Sequence, residues 1–295
     1  MKIIDAHTHF SNVKAFHEAA DTAKLDFSHD GLLAEQAECN IVASICMGLV
    51  ETSPGAFPDK SAPAIMYAQS PQGKWASIDS GKLHHDCPQN MYICLGVNPN
   101  RLNANDIAVL SQLLKTNKGH IVGFKIYAGY YHFNINDPIY TPIYKLAAEH
   151  GLTIAIHTGD TYAEEALLEY SHPLAADRLA VNFRDVNFML CHMGDPWIMD
   201  ACEVAYKNRN VYLDISGLQA GDAAHIAKTE SRPVVMHHYT QGLAYLNAFE
   251  KVLFGTDWPL VPLGPYIEFC KKIVPEEAYA DVFYNNAIKL FGLKI

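Results

Sequence analysis

The sequence predicts an α/β protein, a (β/α)8 TIM-like barrel in a single domain with long loops over the C-terminal mouth. Two observations predict this fold. Short apolar runs rich in β-branched residues recur along the 295 residues and alternate with amphipathic segments, which is the pattern of βα units around a parallel sheet. The chain contains eight such runs, and an eight-stranded α/β barrel of about 250 residues commonly forms one domain. We therefore expect one barrel domain over residues 1–295.

The predicted strands are runs of three to seven residues in which apolar side chains dominate. In chain order they are Lys2–Asp5, Ile41–Met47, Met91–Val97, Ile121–Ile126, Thr153–Ile156, Asn187–Cys191, Val211–Ile215 and Val252–Phe254. The segments between them carry helix signals. Asp137 and Pro138 predict a helix start and Gly151 predicts its end, while Pro275, followed by two glutamates, predicts the start of the last helix.

Two connections are longer than ordinary βα loops. Residues 48–90 are rich in Pro, Ser, Gly and Gln, and residues 217–251 separate the last two predicted strands. Loops of this length in a compact domain are usually functional. Both leave the C-terminal ends of strands, so we predict that they are loop insertions that cover the barrel mouth and determine substrate specificity.

The composition disfavours several classes of function. A net charge of −10, with 22 Lys and Arg against 32 Asp and Glu, provides no basic surface for nucleic-acid phosphates. The sequence has neither a membrane-span run nor a targeting segment before its first strand. Its seven cysteines lack CxxC spacing, which predicts reduced thiols. We expect a soluble cytoplasmic protein with a small-molecule substrate and no nucleic-acid or membrane partner, and homo-oligomerisation stays open.

His7 and His9 stand at the end of the first predicted strand and are separated by one residue. On a strand, residues i and i+2 point to the same side. Two neutral imidazoles on one side can bind a divalent transition metal, although one core histidine and one exposed histidine would produce the same pattern. The pair suggests a metal site, and this hypothesis requires further ligands at the ends of other strands.

Ionisable residues also lie at or directly after the ends of five later strands. They are Lys125, His157, His192, Asp214 and Asp257. The C-terminal strand ends of an α/β barrel meet at one face, where active sites are built. Histidines and carboxylates from different strands on that face indicate a metal site rather than isolated structural residues. We expect Asp214, with Ser216, either to orient a ligand histidine or to form a satisfied buried network.

This set of strand ends resembles the amidohydrolase superfamily of metal-dependent hydrolases, which form a distorted β/α barrel. The resemblance covers essentially the whole chain. Its motifs Ile-Asp-Ala-His-Thr-His, Cys-His-Met-Gly and Gly-Thr-Asp-Trp-Pro are similar to those of the amidohydrolase-related branch, which includes nonhydrolytic decarboxylases. It implies that His7, His9 and Asp257 bind the more buried divalent metal, with Zn²⁺ as the expected ion. It also implies that His157 completes a one-metal site beside an acid-base group, His192, or that these two histidines hold a second metal.

Lys125 distinguishes the one-metal and two-metal versions. Its Lys-Ile-Tyr sequence resembles the Lys-Leu-Tyr of dihydroorotase-like enzymes, and in some family members a carboxylated lysine on strand 4 bridges two metals. An unmodified ammonium would repel a cation, so Lys125 is a metal ligand only as the carbamate. Otherwise it is a cation that pairs with a substrate carboxylate, or a lysine at the edge of the core without a role in the site.

The implied chemistry is activation of water, because a divalent metal lowers the pKa of water that it binds. Asp257 would accept the proton, and His192 would polarise the carbonyl or stabilise the oxyanion if it is not a ligand. We predict a metal-dependent hydrolase of a carboxylic ester, lactone or amide in a small, cyclic substrate. The alternative is a nonhydrolytic decarboxylase of an aromatic or unsaturated acid. Two less favoured alternatives are a metal-dependent deoxyribonuclease, which Lys125 and the acidic charge disfavour, and a non-catalytic metal-binding protein.

Aromatic residues near the strand ends predict a mouth suited to a flat or cyclic substrate. They are Phe10, Tyr127, Tyr130, Tyr131, Trp197 and Trp258. Several cationic side chains are candidates for holding a substrate carboxylate. They are Arg101, Arg184, Arg232, His237 and His238.

Overall fold

Eight parallel strands form the centre of the computed structural model, which describes residues 1–73, 77–79, 82–84, 87–116 and 120–295. They are β1 (Ile3–Thr8), β2 (Ile41–Met47), β3 (Met91–Val97), β4 (Ile121–Ile126), β5 (Thr153–Ile156), β6 (Asn187–Leu190), β7 (Val211–Asp214) and β8 (Val252–Leu253). Neighbours in the sheet follow chain order. Backbone hydrogen bonds from Ala6 N to Phe254 O and from His9 N to Trp258 O bring the two ends together. The sheet is a nearly closed barrel, and the predicted fold is confirmed.

Helices connect the strands and pack around the sheet. In the described part of the chain they are α1 (Lys14–Ala23), α2 (His29–Glu38), α3 (Ala104–Thr116), α4 (Thr141–His150), α5 (Leu168–Ser171), α6 (Ala175–Asn182), α7 (Ile198–Lys207), α8 (Ala223–Glu230), α9 (Pro233–Leu246), α10 (Leu263–Ile273) and α11 (Asn286–Phe291). None of the helices in these residues is long and apolar enough to cross a membrane.

The predicted helix start and end signals lie at or within a few residues of the observed helix ends. The Asp137 side chain accepts a hydrogen bond from Ile139 N, but it caps a 3-10 turn, and α4 begins at Thr141. Gly151 ends α4 with φ +59°, a left-handed conformation that glycine adopts without strain. After Pro275 the chain forms a 3-10 turn and a π-helical turn before α11.

The prediction of a long loop at 217–251 is wrong, because most of this segment is helical. Asp222 accepts a hydrogen bond from His225 N at the start of α8, and a proline stands in the first turn of α9. Helix α9 packs on α7, where a Cβ on Gly242 would lie 2.3 Å from the Ile198 side chain. Helix burial thus places this segment in the outer layer of the barrel. Only the short stretch before α8 reaches the mouth.

The connection at 48–90 is irregular over most of its described length. Ile65–Met66 pairs antiparallel with β3, and Ser77–Asp79 forms a short hairpin with Lys82–His84. Residues 74–76, 80–81 and 85–86 of this predicted insertion lie outside the described residues. Phe57, from the described part, lines the cavity at the mouth, as predicted for this connection.

Two apolar layers hold the barrel together. The larger one lies between the sheet and the helices and includes Ile93, Ile126 and Leu213. The smaller one includes Ala6, Ile45 and Met189, together with the apolar face of α11. Because strand residues alternate between these layers, polar residues at the strand ends also alternate between the cavity and the packed layers.

Candidate active site and metal centre

Three side chains converge at the C-terminal end of the barrel. Asp257 Oδ1 lies 3.2 Å from His7 Nε2 and 3.1 Å from His9 Nε2. All three residues are buried. His7 is the second-last residue of β1 and His9 directly follows the strand, while Asp257 N donates a hydrogen bond to the His7 carbonyl oxygen. The approach of the chain after β8 to the end of β1 therefore brings the carboxylate between the two imidazoles.

This group fits a divalent metal ion. His7 Nε2 and Asp257 Oδ1 are buried and have no hydrogen-bond partner in the described structure, although they face each other. Such atoms are rare in folded proteins unless something else satisfies them. Tetrahedral ligand atoms about 2.0–2.1 Å from Zn²⁺ stand roughly 3.3 Å apart, which is close to the 3.1 and 3.2 Å measured here. Two imidazoles and one carboxylate are also a donor set that such ions prefer.

Asp214, at the end of β7, fixes the orientation of His7. Asp214 Oδ2 lies 2.8 Å from His7 Nδ1, and Oδ1 accepts hydrogen bonds from His192 N and from the backbone and side chain of Ser216. Although burial opposes ionisation, the His7 and His192 imidazoles hold the pKa of Asp214 below its usual range. An ionised carboxylate only accepts, so His7 carries its proton on Nδ1 and directs the Nε2 lone pair toward Asp257. The sequence left two alternatives for Asp214, and the structure shows that this buried carboxylate contacts His7.

His192 packs against the same network in an unusual backbone conformation. Its φ is +63°, which is unfavourable for residues other than glycine and is common at functional sites. His192 Nδ1 lies 3.0 Å from Ser216 Oγ and 3.1 Å from the Ser216 carbonyl oxygen, and 4.0 Å from Asp257 Oδ2. Gly217 permits this approach, because a Cβ there would lie 2.6 Å from His192 Nδ1 and 2.9 Å from Asp257 Oδ2.

His157 and Lys125 face the same cavity but have other partners. His157 Nε2 lies 2.8 Å from the Asp160 carbonyl oxygen, so metal binding through this atom would replace that contact. Lys125 Nζ donates a hydrogen bond to Cys191 Sγ at 2.9 Å. The structure thus brings all six predicted site residues to one end of the barrel, while these two stand apart from the three converging ligand atoms.

A cavity of about 270 Å³ opens at this group. Its buried polar lining consists of His9, Lys125, His157, His192 and Asp257. Its aromatic and aliphatic lining includes Phe16, Phe57, Tyr127, Tyr130, Tyr162 and Leu260. Sites for small molecules run upward from about 300 Å³, so the cavity suits a compact ligand.

The predicted aromatic mouth is correct for two residues, Tyr127 and Tyr130. The other four lie outside the cavity lining: Phe10, Tyr131, Trp197 and Trp258. Phe10 points away because its neighbour His9 faces the cavity and successive extended residues alternate. The sequence reasoning missed Phe16, Phe57 and Tyr162. They lie on α1 and on loops, where no strand end marks them, although the amphipathic pattern of α1 is a signal that could have identified Phe16.

The predicted cationic candidates are wrong as cavity residues. Arg184 donates to the Asn208 side chain, and His238 pairs with Asp195. These residues, like Arg101, Arg232 and His237, are absent from the cavity lining among the described residues. Position next to a strand end or in a connection does not by itself direct a long side chain into the mouth.

Burial keeps the imidazoles of the site neutral. It lowers the pKa of His192 from 6.5 to about 4, and it lowers the pKa values of His7, His9 and His157 as well. Neutral imidazole is the form that binds metals. The site is therefore prepared for a cation at neutral pH.

Metal-free protein is expected to lose stability as the pH falls from about 6.5 to about 4. In this range the unfolded chain binds protons that the buried imidazoles do not, so unfolding is favoured. His192 alone contributes about 3 kcal/mol, since one pKa unit corresponds to about 1.4 kcal/mol. Burial raises the pKa of Asp5 to about 7 and also raises the pKa of Glu35, and both act in the opposite direction, but these are two carboxyl groups against four imidazoles.

Thermal unfolding of chelator-treated protein, followed by circular dichroism across this pH range, measures the effect. His192→Gln removes one of the titrating groups and should flatten the decline. A melting temperature that stays constant or rises toward pH 4 would contradict the prediction.

The fold and site together define a class, a (β/α)8-barrel protein with a candidate metal centre at the strand ends. A family model described as amidohydrolase matches residues 96–293. The chain belongs to the amidohydrolase family, as the sequence resemblance implied. A comparison with curated proteins finds no match.

Solved structures with the same fold cover nearly the whole chain. An uncharacterised TIM-barrel protein from Bordetella bronchiseptica is 17% identical, with 99% of each chain covered and a TM-score of 0.67. A probable 2-pyrone-4,6-dicarboxylic acid hydrolase from Acinetobacter baumannii, with citric acid bound, is 14% identical over 99% of this chain and 100% of its own, with a TM-score of 0.58. A 5-carboxyvanillate decarboxylase from Novosphingobium aromaticivorans, with bound manganese, is 11% identical over 99% and 97%, with a TM-score of 0.60. At these identities the likeness shows the fold alone.

Proposed function

We propose that this chain is a metal-dependent hydrolase that cleaves a carboxylic ester, lactone or amide bond in a small cyclic substrate. The observation that carries the proposal is the position of Asp257. Its Oδ1 faces His7 and His9, and the same residue lines the cavity. A carboxylate between the two histidines and the cavity can hold a cation on the histidine side and exchange a proton with a substrate bound on the cavity side. Membership in the amidohydrolase family agrees with this chemistry.

In this proposal His7, His9 and Asp257 hold a divalent metal, with Zn²⁺ as the expected ion, and His157 completes the site after releasing the Asp160 carbonyl. Once bound, the metal supplies an activated water molecule and polarises the substrate. Asp257 would act as the base, because its carboxylate lies between the His7 and His9 imidazoles and the cavity. It accepts a proton during attack on the carbonyl carbon and returns it to the leaving group.

His192 would act as an acceptor in its neutral form. The Ser216 hydroxyl donates to Asp214, so both Ser216 oxygens near His192 Nδ1 are acceptors, and the ring carries its proton on Nδ1. The Nε2 atom is then left with a lone pair. With this lone pair, Nε2 can take up a proton or bind a second metal. It can donate a hydrogen bond to an oxyanion only after His192 has become protonated.

Nonhydrolytic decarboxylation of an aromatic or unsaturated acid is the second candidate function. The observation that favours it is the cavity lining, in which the aromatic rings of Phe16, Phe57 and Tyr130 occur together with the ammonium group of Lys125. An apolar environment removes water from a carboxylate and so raises the energy of the charged ground state. The same histidines and Asp257 would then bind the substrate and protonate carbon.

Purified protein assayed against lactone, ester and amide panels beside aromatic acids separates these reactions. Bond hydrolysis is the result expected from the first proposal. Release of CO₂ without hydrolysis would overturn it in favour of the second candidate, and absence of both reactions would leave a metal-binding protein without catalysis.

Protein purified without chelators is expected to contain about one or two equivalents of a divalent metal per chain, because the site offers imidazole and carboxylate ligands. Elemental analysis measures the content directly. His7→Asn should lower it, whereas His238→Asn is a matched control, since His238 pairs with Asp195 outside the cavity. Wild-type protein without stoichiometric metal would contradict the proposed centre.

A further inference from the structure

Lys125 brings a positive charge into the cavity, and no carboxylate of the described residues forms an ion pair with it. The residue is 1% exposed. Its Nζ donates to Cys191 Sγ at 2.9 Å and lies 5.5 Å from the centre of the Tyr127 ring. Within the described residues, no carboxylate oxygen lies within the 4.0 Å limit of an ion pair with this ammonium. Burial of a charge in this way is costly unless a counter-charge is supplied.

The contact with Cys191 does not supply that counter-charge. Cys191 is fully buried, and its sulfur is a weak hydrogen-bond acceptor that compensates little of the charge on the ammonium. An ammonium has three N–H donors, and one of them has a hydrogen-bond partner among the residues that the structure describes. Two donors and the full charge therefore remain for a ligand.

Two hydroxyl donors of the cavity lining already have acceptors within the protein. The Tyr127 hydroxyl donates to the Gly48 carbonyl oxygen at 2.8 Å, and the Thr22 hydroxyl donates to the Glu18 carbonyl oxygen at 2.9 Å. The imidazoles at the cavity have partners of their own, since His9 Nε2 faces Asp257, His157 Nε2 contacts the Asp160 carbonyl oxygen and His192 Nδ1 contacts Ser216. Among the described lining residues, Lys125 is the group best able to receive an anion.

We infer that Lys125 is a specificity-determining residue that binds the carboxylate of a small single-ring acid, with the ring packed among Phe16, Phe57 and Tyr130. One ammonium matches one carboxylate, and the apolar walls match the ring. The inference rests on the proposed function for the reacting bond, since the substrate would be an ester, lactone or amide that keeps a free carboxylate, or the acid itself. The inference narrows the substrate class from cyclic compounds in general to cyclic compounds that carry one carboxylate.

Binding of benzoate and benzamide to metal-free protein tests this role, because the two probes share a ring and differ in charge. Calorimetry of chelator-treated protein should show benzoate binding at least about ten-fold more tightly than benzamide, as expected for a buried charged hydrogen bond. Lys125→Met keeps the length of the side chain and removes the charge. It should remove this preference, with the affinity for benzamide changed by less than about two-fold.

Two further variants control the measurement. Lys251→Met removes a half-buried lysine that donates to the Ala205 and Asn208 carbonyl oxygens away from the cavity, and should leave both affinities unchanged. Lys125→Arg keeps the charge and should keep the preference for benzoate, which provides a second variant if Lys125→Met does not fold. Equal affinities in the wild type, or a preference that survives in Lys125→Met, would overturn the inference.

Metal content separates carboxylate binding from a carbamate bridge. Lys125→Met and Lys125→Ala purified without chelator should contain as much metal as the wild type if Lys125 binds the substrate. Loss of one of two metals would assign Lys125 to the metal centre and overturn the inference. A wild type without metal would contradict the proposed function, whereas the benzoate measurement on metal-free protein would still decide the role of Lys125.

Discussion

Asp257→Asn is expected to lower turnover by about 10²–10⁴-fold, which is the usual contribution of a positioned acid or base. The amide has nearly the same shape as the carboxylate but cannot take up a proton. Asp257 has φ +63°, and Asn tolerates this left-handed conformation as well as Asp does. The variant should therefore fold, and its loss of turnover would report chemistry rather than collapse of the site.

The measurement is kcat and kcat/KM with a substrate from the panels, at saturating metal, because an amide is also a weaker metal ligand. Asp160→Asn is a matched control near the mouth, since His157 contacts the backbone carbonyl of Asp160 and not its side chain. Unaltered turnover in Asp257→Asn at full metal occupancy would exclude the proton-transfer role.

Asp214→Asn is expected to weaken metal binding by about 10–100-fold, the usual effect of changing the partner of a ligand histidine. The amide oxygen can still accept from His192 N and Ser216 N, which leaves the amide nitrogen facing His7 Nδ1. A donor at that position favours the tautomer with the proton on Nε2. His7 then loses the lone pair that it directs toward Asp257.

Chelator competition gives the metal affinity, and circular dichroism shows whether the fold is kept. Asp177→Asn provides a matched control, because Asp177 bonds Lys207 and Asn208 outside the cavity. Unchanged metal affinity in Asp214→Asn would show that His7 does not depend on this carboxylate for its tautomer.

The strands could be predicted because a parallel sheet covered on both faces requires nearly continuous apolar runs. β2, β3, β4 and β5 have the predicted bounds. The helices at 217–251 were missed although Asp222 and Pro233 carry start signals there. Their apolar faces gain stability only by packing against neighbours such as α7, and a single sequence does not show that contact.

The candidate site was predictable in position and less so in geometry. The sequence indicated that the ionisable residues at the strand ends share one face, because the C-terminal ends of parallel strands meet there, and the family resemblance implied that His7, His9 and Asp257 form one group among them. It did not indicate that His157 turns to the Asp160 carbonyl or that Lys125 contacts Cys191. Those contacts depend on side-chain torsions and on cavities that form only when distant segments pack.

By itself, the sequence determined the class of this protein, a barrel with histidines and carboxylates at its strand ends, because strand periodicity and chain direction are local properties. The tertiary structure decided the electrostatics of the site. His7 and Asp214 are 207 residues apart in sequence and 2.8 Å apart in space, and the tautomers, the neutral imidazoles and the unpaired charge of Lys125 all follow from contacts of this kind and from exclusion of water. Burial and long-range proximity are properties of the packed chain, and they decide which atoms are available to a metal or a substrate.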